Sequence, residues 1–336
     1  MDDRYKTEKE LLNVETTDEG LSKIAEMAKP EECYVLMENS TRTHYVLRYF
    51  RKLGYSVFSA QAKDLTRITK TDAKNDRIDA RKLAEYAKEY HVWEERTSLD
   101  EDFYDKPPFR ICNNFSEEEM KTKTLCRMKF DLSEERAAVQ KKMKEYMSMQ
   151  NYFQLDFDKS VKGKKILAKL LKSGDPVLRI YASKLLDIMA EEEEVELEIN
   201  SLMGKRNDVK LLMTIKGIGF ASAAYICSSI TDISRFPSPE SFVKYVGLNP
   251  KTSVSAEKGK RKSISGEGDS RMRIIFYRVV TIHVKFCKDS ELSKYRKRMI
   301  REHGSRIGNV AAGRKLACII WSMLTHNEPF RACPER

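Results

Sequence analysis

The sequence predicts an α/β region at the N-terminus, a helical, coiled-coil middle and a mainly α-helical C-terminal region. Three observations carry this prediction. Short apolar runs alternate with helical patterns at first, amphipathic helical spacing then continues without strand signals, and helical segments separated by Gly and Pro follow. We therefore place domain boundaries at 1–93, 94–206 and 207–336.

The N-terminal region is predicted to alternate strands with helices, a spacing typical of a largely parallel sheet. Thr17 or Asp18 is a good helix cap, and Pro30 is a stop signal. Ligands bind at the carboxyl ends of the strands in such sheets. In chain order we predict strands in Lys6–Glu15, a helix from Thr17 to Lys29, a strand at Cys33–Glu38, a helix at Thr41–Leu53, a strand at Tyr55–Ala60 and a helix at Asp76–Tyr90.

The middle region is predicted to be irregular over 94–115 and then to form long helices to residue 206. Asp175-Pro176 fits the cap and first turn of the second long helix. The acidic run Glu191–Glu194 is interpreted as a solvated face. Two such helices favour an antiparallel hairpin or coiled coil, which suits self-association.

Composition excludes several classes of protein. The chain has 41% apolar and 34% charged residues, and its polar N-terminus is unlike a signal peptide. No apolar run approaches the roughly 18 residues of a membrane span. Seven scattered cysteines without a Cys-x-x-Cys pair indicate a reduced cytoplasmic protein rather than a disulfide framework or a structural zinc site.

Positive charge is concentrated near the C-terminus. The formal net charge is +11, and Lys251–Lys315 contains 18 lysines and arginines against 6 acidic residues. A basic block of this kind most often marks a nucleic-acid surface. A membrane surface is less suitable as a partner, because the block lacks a strongly apolar aromatic face.

Carboxylates mark a candidate metal site in the N-terminal region. Asp76 and Asp79 share one helix face, and Glu38 ends a predicted strand. Neighbouring carboxylates repel each other unless a cation or a proton separates them, and oxygen ligands suit Mg²⁺. The alternative is a solvated helix start with Asp76 near its cap.

Two C-terminal segments are candidates for binding phosphate. The turn at Lys216, Gly217 and Gly219 resembles a helix-hairpin-helix element, whose backbone N–H groups hold phosphate, although short turns of this kind also occur without function. A serine-rich loop over 250–273 is either a surface loop or a phosphate-backbone contact that presents a serine for attack on phosphorus. Its candidate basic contacts are Lys258, Lys260, Arg261, Lys262, Arg271 and Arg273.

Taken in order, these motifs resemble the DEDD-type transposases of insertion sequences, whose better-studied members are bridge-RNA-guided recombinases. The resemblance covers nearly the whole chain and is weakest between about 95 and 200. The segments that carry it are Met37–Thr41, Lys70–Ala80, Ile215–Gly219, Asp232–Phe236, Tyr245–Pro250, Gly308–Leu316 and Pro329-Phe330.

The resemblance implies a RuvC-like (RNase H-like) N-terminal domain with four Mg²⁺-binding acids, and a C-terminal transposase domain with a catalytic serine. By position, Glu38, Asp76 and Asp79 match the second, third and fourth acids. Ser255 holds the serine position, although Ala256 replaces the usual glycine and the nearby Ser253 competes. The first acid lies on an opening strand in the family, and we expect this chain to start after that strand.

The implied function is that of a DNA transposase, or recombinase, which cuts and rejoins DNA in the prokaryotic cytoplasm, at the nucleoid. The implied partners are insertion-sequence ends and target DNA, a structured guide RNA, and further copies of the chain in a dimer or tetramer. Two alternatives stay open: an inactive nucleic-acid-binding remnant, and a metal-dependent junction nuclease that uses the acids alone. Cleavage that survives loss of Ser255 would favour the nuclease, and binding without cleavage the remnant.

Overall fold

Two compact units make up the chain, Met1–Ser116 and Glu117–Arg336. The helical character of the protein is confirmed, and the sheet in its described part is a single parallel pair of strands. Two strands do not by themselves identify a RuvC-like domain. The computed structural model describes residues 14–65, 76–99, 107–109, 111–112, 115–150, 157–249, 264 and 268–331.

The first unit contains a strand–helix–strand motif followed by a long helix. The two strands pair in parallel from Tyr34 opposite Ser56 to Glu38 opposite Ala60. Thr17 caps the first helix by accepting a hydrogen bond from the Gly20 N–H, as the sequence predicted. The elements are α1 (Asp18–Ala25), β1 (Tyr34–Glu38), α2 (Thr43–Lys52), β2 (Ser56–Ala60) and α3 (Asp76–Leu99).

Both faces of this small sheet are covered. Alternate residues of a strand point to opposite faces, and Val57 therefore packs with Leu47 and Phe50 of α2, whereas Ala60 packs with Tyr86 and Tyr90 of α3. This burial on both faces explains why the strands are apolar runs in the sequence, and it holds α3 against the sheet.

Helix α3 is longer than predicted. The sequence predicts a helix that ends at Tyr90 and irregular structure over 94–115, which is wrong for 94–99 because the helix continues to Leu99. Glu94 accepts a hydrogen bond of 2.8 Å from the Tyr34 hydroxyl, so a tertiary contact fixes this last part of the helix. The strands predicted in Lys6–Glu15 lie almost entirely outside the described residues, and 14–15 belong to no regular element.

All the named elements of the second unit are helices among its described residues. Its centre is α8, in which every side chain from Ala223 to Ile230 is buried. Within the described ranges, no helix combines the length and apolar character that crossing a bilayer requires. The elements are α4 (Glu117–Met149), α5 (Val161–Leu170), α6 (Pro176–Met203), α7 (Asn207–Met213), α8 (Phe220–Ile230), α9 (Pro239–Val246), α10 (Ser270–Phe286), α11 (Glu291–His303) and α12 (Ser305–His326).

Helices α4 and α6 form the predicted antiparallel hairpin. Their direction follows from two contacts: Lys129 pairs with Glu196 at 2.5 Å, and Tyr146 donates to Asp175 at 2.9 Å. Asp175 also caps α6 by accepting from the Val177 N–H at 2.8 Å, with Pro176 in the first turn. The cap and first-turn prediction is therefore confirmed.

The interpretation of Glu191–Glu194 as a solvated face is wrong for Glu192. Its side chain is 0% exposed, whereas Glu191, Glu193 and Glu194 point to solvent. The Glu192 carboxylate lies 2.6 Å from Lys159 Nζ and 3.0 Å from Arg136 Nε. Ser133 also donates to it at 2.6 Å. Cations from α4 and from the segment before α5 compensate a charge that would be expensive to bury alone.

Candidate active site and nucleic-acid interface

Glu38, the first of the candidate acids, ends β1 and is exposed at the carboxyl end of the strand pair. The buried Thr43 closes the loop that follows, because its hydroxyl donates to the Glu38 carbonyl at 3.3 Å and accepts from the Ser40 N–H at 2.7 Å. The Asn39 N–H bonds to the Ala60 carbonyl of β2 at 2.8 Å. Glu38 therefore lies at the end of the strand just before a fixed loop, and Thr43 is a supporting residue that sequence reasoning missed.

Asp79 lies in the first turns of α3 and is only partly accessible. Its Oδ1 atom is buried and has no hydrogen-bond partner among the described residues. A buried acceptor without a donor costs about 1–3 kcal/mol, and a bound cation would remove that cost. An orphaned carboxylate oxygen is the kind of atom that Mg²⁺ takes as a ligand.

Contacts at the start of β1 orient α3 against the strand. The Tyr34 ring lies 4.7 Å from the His91 ring, centroid to centroid, and the Tyr34 hydroxyl donates to Glu94. Burial and this hydrogen bond raise the pKa of Tyr34 to about 12, so that its hydroxyl remains a donor. This clamp holds late α3 at the beginning of β1, while Asp79 lies several turns earlier on the helix.

The third predicted acid, Asp76, begins α3, but its side chain falls outside the described residues. Across the part of the chain that the structure describes, no group of three His, Cys, Asp or Glu side chains converges as a metal cluster. The structure thus places Glu38 and the orphaned Asp79 oxygen in one unit and leaves the complete ligand set a prediction.

The turn between α7 and α8 has the backbone that its sequence predicts. Gly217 has φ of +109°, a conformation that L side chains rarely adopt. Gly219 caps α8 without a side chain, and it is exposed, as is Lys216. The first N–H groups of a helix lack intrahelical partners, so this end of α8 can receive a phosphate oxygen.

His283 of α10 holds the turn in place and was not predicted from the sequence. It is 0% exposed, its Nδ1 lies 3.0 Å from the Lys216 carbonyl, and its Nε2 lies 2.9 Å from Ser290 Oγ. Burial lowers the pKa of His283, which favours the neutral ring. Because a carbonyl only accepts, Nδ1 donates to Lys216 and Nε2 accepts from Ser290. Phe330 packs edge-on against this imidazole, and its N–H bonds to Thr214 at 2.9 Å.

Replacing Gly217 by alanine is expected to destabilise the second unit. The positive φ costs about 1–3 kcal/mol, and the new β-carbon would lie 3.0 Å from the Val279 carbonyl oxygen. Gly219→Ala is the matched control, because a β-carbon there meets nothing within 4 Å. Urea denaturation should show a loss for Gly217→Ala at least twice that for Gly219→Ala, and equal losses would contradict this account of the turn.

The serine-rich loop predicted over 250–273 ends earlier than predicted, because α10 begins at Ser270, and the described residues on its two sides meet. Gly247 ends α9 in the left-handed conformation. At the other end, Gly268 has φ of +112°, and a β-carbon on it would lie 2.3 Å from the Tyr245 carbonyl oxygen and 3.2 Å from the Gly247 nitrogen. Only glycine fits so close to another backbone. Both ends of the loop are therefore fixed side by side.

Asp269 anchors the exit of the loop. It caps α10 by accepting from the Arg271 N–H at 2.9 Å, and it accepts from the Tyr225 hydroxyl at 2.6 Å. Burial and this carboxylate raise the pKa of Tyr225. Burial lowers the pKa of Lys123 in α4 to about 8. The positive charges of Arg127 and Arg235 lower this pKa further, whereas the negative charge of Asp269 raises it. Sequence reasoning found none of these cations, because they come from distant parts of the chain.

Arg271 and Arg273 make intramolecular contacts. Arg271 pairs with Asp131 and donates to the Arg127 carbonyl at 3.1 Å, while Arg273 donates to the Gly268 carbonyl at 3.1 Å. In this structure they support the base of the loop, and their contact with nucleic acid stays a prediction. The remaining residues predicted for the loop lie outside the described residues: Ser253, Ser255, Lys258, Lys260, Arg261 and Lys262.

This chain is similar to a known protein family over one segment and to individual proteins over most of its length. Residues 209–297, from α7 to within α11, match the Transposase IS116/IS110/IS902 family. The transposase for insertion sequence element IS1328 of Yersinia enterocolitica is 22% identical over 89% of this chain and 85% of its own length. A probable family 20 transposase of Pseudomonas aeruginosa is 22% identical over 89% of this chain and 86% of its own.

A further relative is the transposase for insertion sequence element IS1111A of Coxiella burnetii, which is 28% identical over 46% of this chain and 43% of its own length. The family match contains the hairpin turn, both ends of the serine-rich loop and His283. The resemblance to insertion-sequence transposases that the sequence motifs indicated is thereby confirmed.

Proposed function

Because this chain is related to insertion-sequence transposases, we propose that it is a DNA recombinase that cuts and rejoins strands through Ser255, assisted by acids that hold Mg²⁺. The observation that carries the proposal is the fixed base of the serine-rich loop, within the segment that matches the transposase family. Each unit carries one part of the chemistry: the acids lie in the first and the serine in the second.

The carboxylates of Glu38, Asp76 and Asp79 would hold the metal. The unpaired, buried Oδ1 of Asp79 fits this role, and so does a donor set made only of oxygens. When bound, Mg²⁺ supplies positive charge that stabilises the anionic phosphate oxygens of the reacting strand. The loop that Thr43 closes keeps the Glu38 backbone in a fixed position at the end of the strand.

Ser255 would attack phosphorus from the loop. As the Oγ–P bond forms, the bond between phosphorus and one strand-end oxygen breaks, and that oxygen takes up a proton as a hydroxyl. The serine hydroxyl gives up its proton to solvent or to a neighbouring base as it attacks. Attack on the phosphoserine by another strand's hydroxyl reverses these bond changes and rejoins the DNA without an external energy source.

The basic residues would bind and orient the strand. Lys258, Lys260, Arg261 and Lys262 flank the serine in sequence and can neutralise phosphates along the loop. The hairpin of Lys216, Gly217 and Gly219 offers backbone N–H groups, which hold phosphate without reading the base sequence. The family resemblance further supports a structured guide RNA and a dimer or tetramer as the working assembly.

The decisive test is a covalent protein–DNA adduct. Incubating the protein with DNA that carries the ends of its insertion sequence, together with RNA from the same element, should give a protease-sensitive adduct. Ser255→Ala should abolish this adduct, because alanine has no nucleophile. Ser253→Ala is the matched control and should retain it.

Other outcomes distinguish the alternatives. An adduct that persists in Ser255→Ala and disappears in Ser253→Ala would move the nucleophile by two residues. Cleavage without an adduct, unaffected by either change, would favour a metal-dependent junction nuclease. Binding without cleavage or adduct would favour an inactive DNA-binding protein.

A further inference from the structure

Phe286 is an aromatic side chain at the surface in a strongly basic setting. It ends α10 and is 61% exposed. The ammonium group of Lys216 lies 5.6 Å from the centre of its ring, and that of Lys285 lies 5.8 Å away. One lysine comes from the hairpin turn and the other from α10, so two elements bring positive charge to one exposed ring.

The position of this ring relative to the hairpin turn is fixed. His283, three residues earlier on α10, donates to the Lys216 carbonyl, and a β-carbon on Gly217 would lie 3.3 Å from Ile282 of the same helix. The exposed N-terminal end of α8 follows directly after this turn. A strand whose phosphate lay on the α8 N–H groups would therefore meet the same turn that places Lys216 over the Phe286 ring.

The surrounding charge selects the kind of ligand. The last two turns of α10, from Val279 to Phe286, contain Lys285 and no acidic residue, whereas Arg271 and Arg278 lie earlier on the helix and are paired with Asp131 and Glu134. A single exposed apolar side chain needs no explanation on its own, but a flat ring between cations matches a flat base attached to a phosphate chain. Interior bases of a duplex already stack on both faces, so the ring favours an unpaired base with a free face.

We propose that Phe286, framed by Lys216 and Lys285, is a stacking site for an unpaired base of a single-stranded nucleic acid. The inference goes beyond the proposed recombinase, in which the hairpin only holds phosphate. Stacking on an aromatic side chain is tolerant of sequence, and its loss typically weakens binding roughly 5- to 150-fold per base. Unpaired DNA at an open strand end and unpaired RNA share this chemistry.

The test compares binding of short single strands and duplexes to the full chain. Fluorescence anisotropy with a DNA 12-mer, an RNA 12-mer and a DNA duplex should show that Phe286→Ala weakens single-strand binding roughly 5-fold or more. Duplex binding should change less than twofold. Phe286→Trp should keep single-strand affinity, whereas Phe286→Leu should lose it, because leucine is apolar but has no ring to stack.

Leu197→Ala is the control for removing an exposed apolar side chain, since Leu197 is 72% exposed on α6. It should leave all three affinities unchanged. A loss confined to the DNA or to the RNA strand would identify the source of the base. Equal single-strand affinity in Phe286→Ala and the unchanged protein would overturn the proposal.

If Phe286→Ala changes the oligomeric state and leaves single-strand binding intact, the stacking proposal is also overturned. The ring would then be a contact between copies of the chain. Failure of the recombinase proposal has a different signature: the serine adduct would be absent while the Phe286 effect on single-strand binding remained. The two ideas can therefore fail separately.

Discussion

Asp79→Asn is expected to abolish strand cleavage while leaving the fold and DNA binding intact. In the proposed function this carboxylate would hold Mg²⁺, and losing a metal that stabilises the charged transition state by several kcal/mol would slow the reaction on the order of a thousandfold. Without metal, thermal stability should hold or rise slightly, because the unpaired Oδ1 of Asp79 no longer carries part of a buried negative charge. Gel assays of strand cleavage and thermal melting in a chelator measure the two effects.

The control for Asp79 is Glu85→Gln, an exposed acid on the same helix, which should change neither cleavage nor melting. A second readout is independent of activity. Mg²⁺ should raise the melting temperature of the unchanged protein and of Glu85→Gln, and it should raise the melting temperature of Asp79→Asn by a smaller amount. An equal metal-dependent rise in all three proteins, or cleavage retained in Asp79→Asn, would exclude Asp79 as a ligand.

Glu192→Gln is expected to lower the free energy of unfolding of the second unit by about 3–5 kcal/mol. Glutamine has nearly the same shape but no charge, so Lys129, Arg136 and Lys159 would lose their buried counter-charge. Glu194→Gln, two residues along on the exposed face, should change stability by less than about 0.5 kcal/mol. Urea denaturation of both variants measures the difference, and similar losses would show that the buried position of Glu192 is wrong.

The effect of Glu192 should depend on pH. Burial alone would raise the pKa of this carboxyl, but Lys159, Ser133, Lys129 and Arg136 outweigh burial and hold the pKa below its usual range. A carboxyl with a lowered pKa in the folded state stabilises the fold above its unfolded pKa of about 4.3, and that stability is lost as the pH falls through the folded value. The difference between the unchanged protein and Glu192→Gln should therefore shrink below about pH 4.

Features set by local chemistry could be predicted from the sequence. Thr17 caps α1, and Asp175 with Pro176 starts α6, because the side chain and the backbone N–H groups that it caps are neighbours in the chain. The turn at Gly217 was predicted for the same reason, since glycine tolerates positive φ by itself.

Features set by distant partners could not be predicted. Glu192 has the same neighbours in sequence as its solvated companions, and only cations 33 to 63 positions away distinguish it. The end of α3 depends on Tyr34, 60 residues from Glu94. In the candidate site, the motifs indicated Glu38, Asp79 and the hairpin. The residues that support them, among them His283, carry no local signature.

Gly247 and Gly268 meet, so the segment between them is closed at its base. Once the two ends are closed by the core, the chain-entropy cost of a longer insert rises slowly, by about 0.6 kcal/mol for each doubling in length. A change in the length of this segment should therefore cost the second unit little stability. A side chain at Gly268, in contrast, would separate the two ends, because its β-carbon would lie 2.3 Å from the Tyr245 carbonyl oxygen.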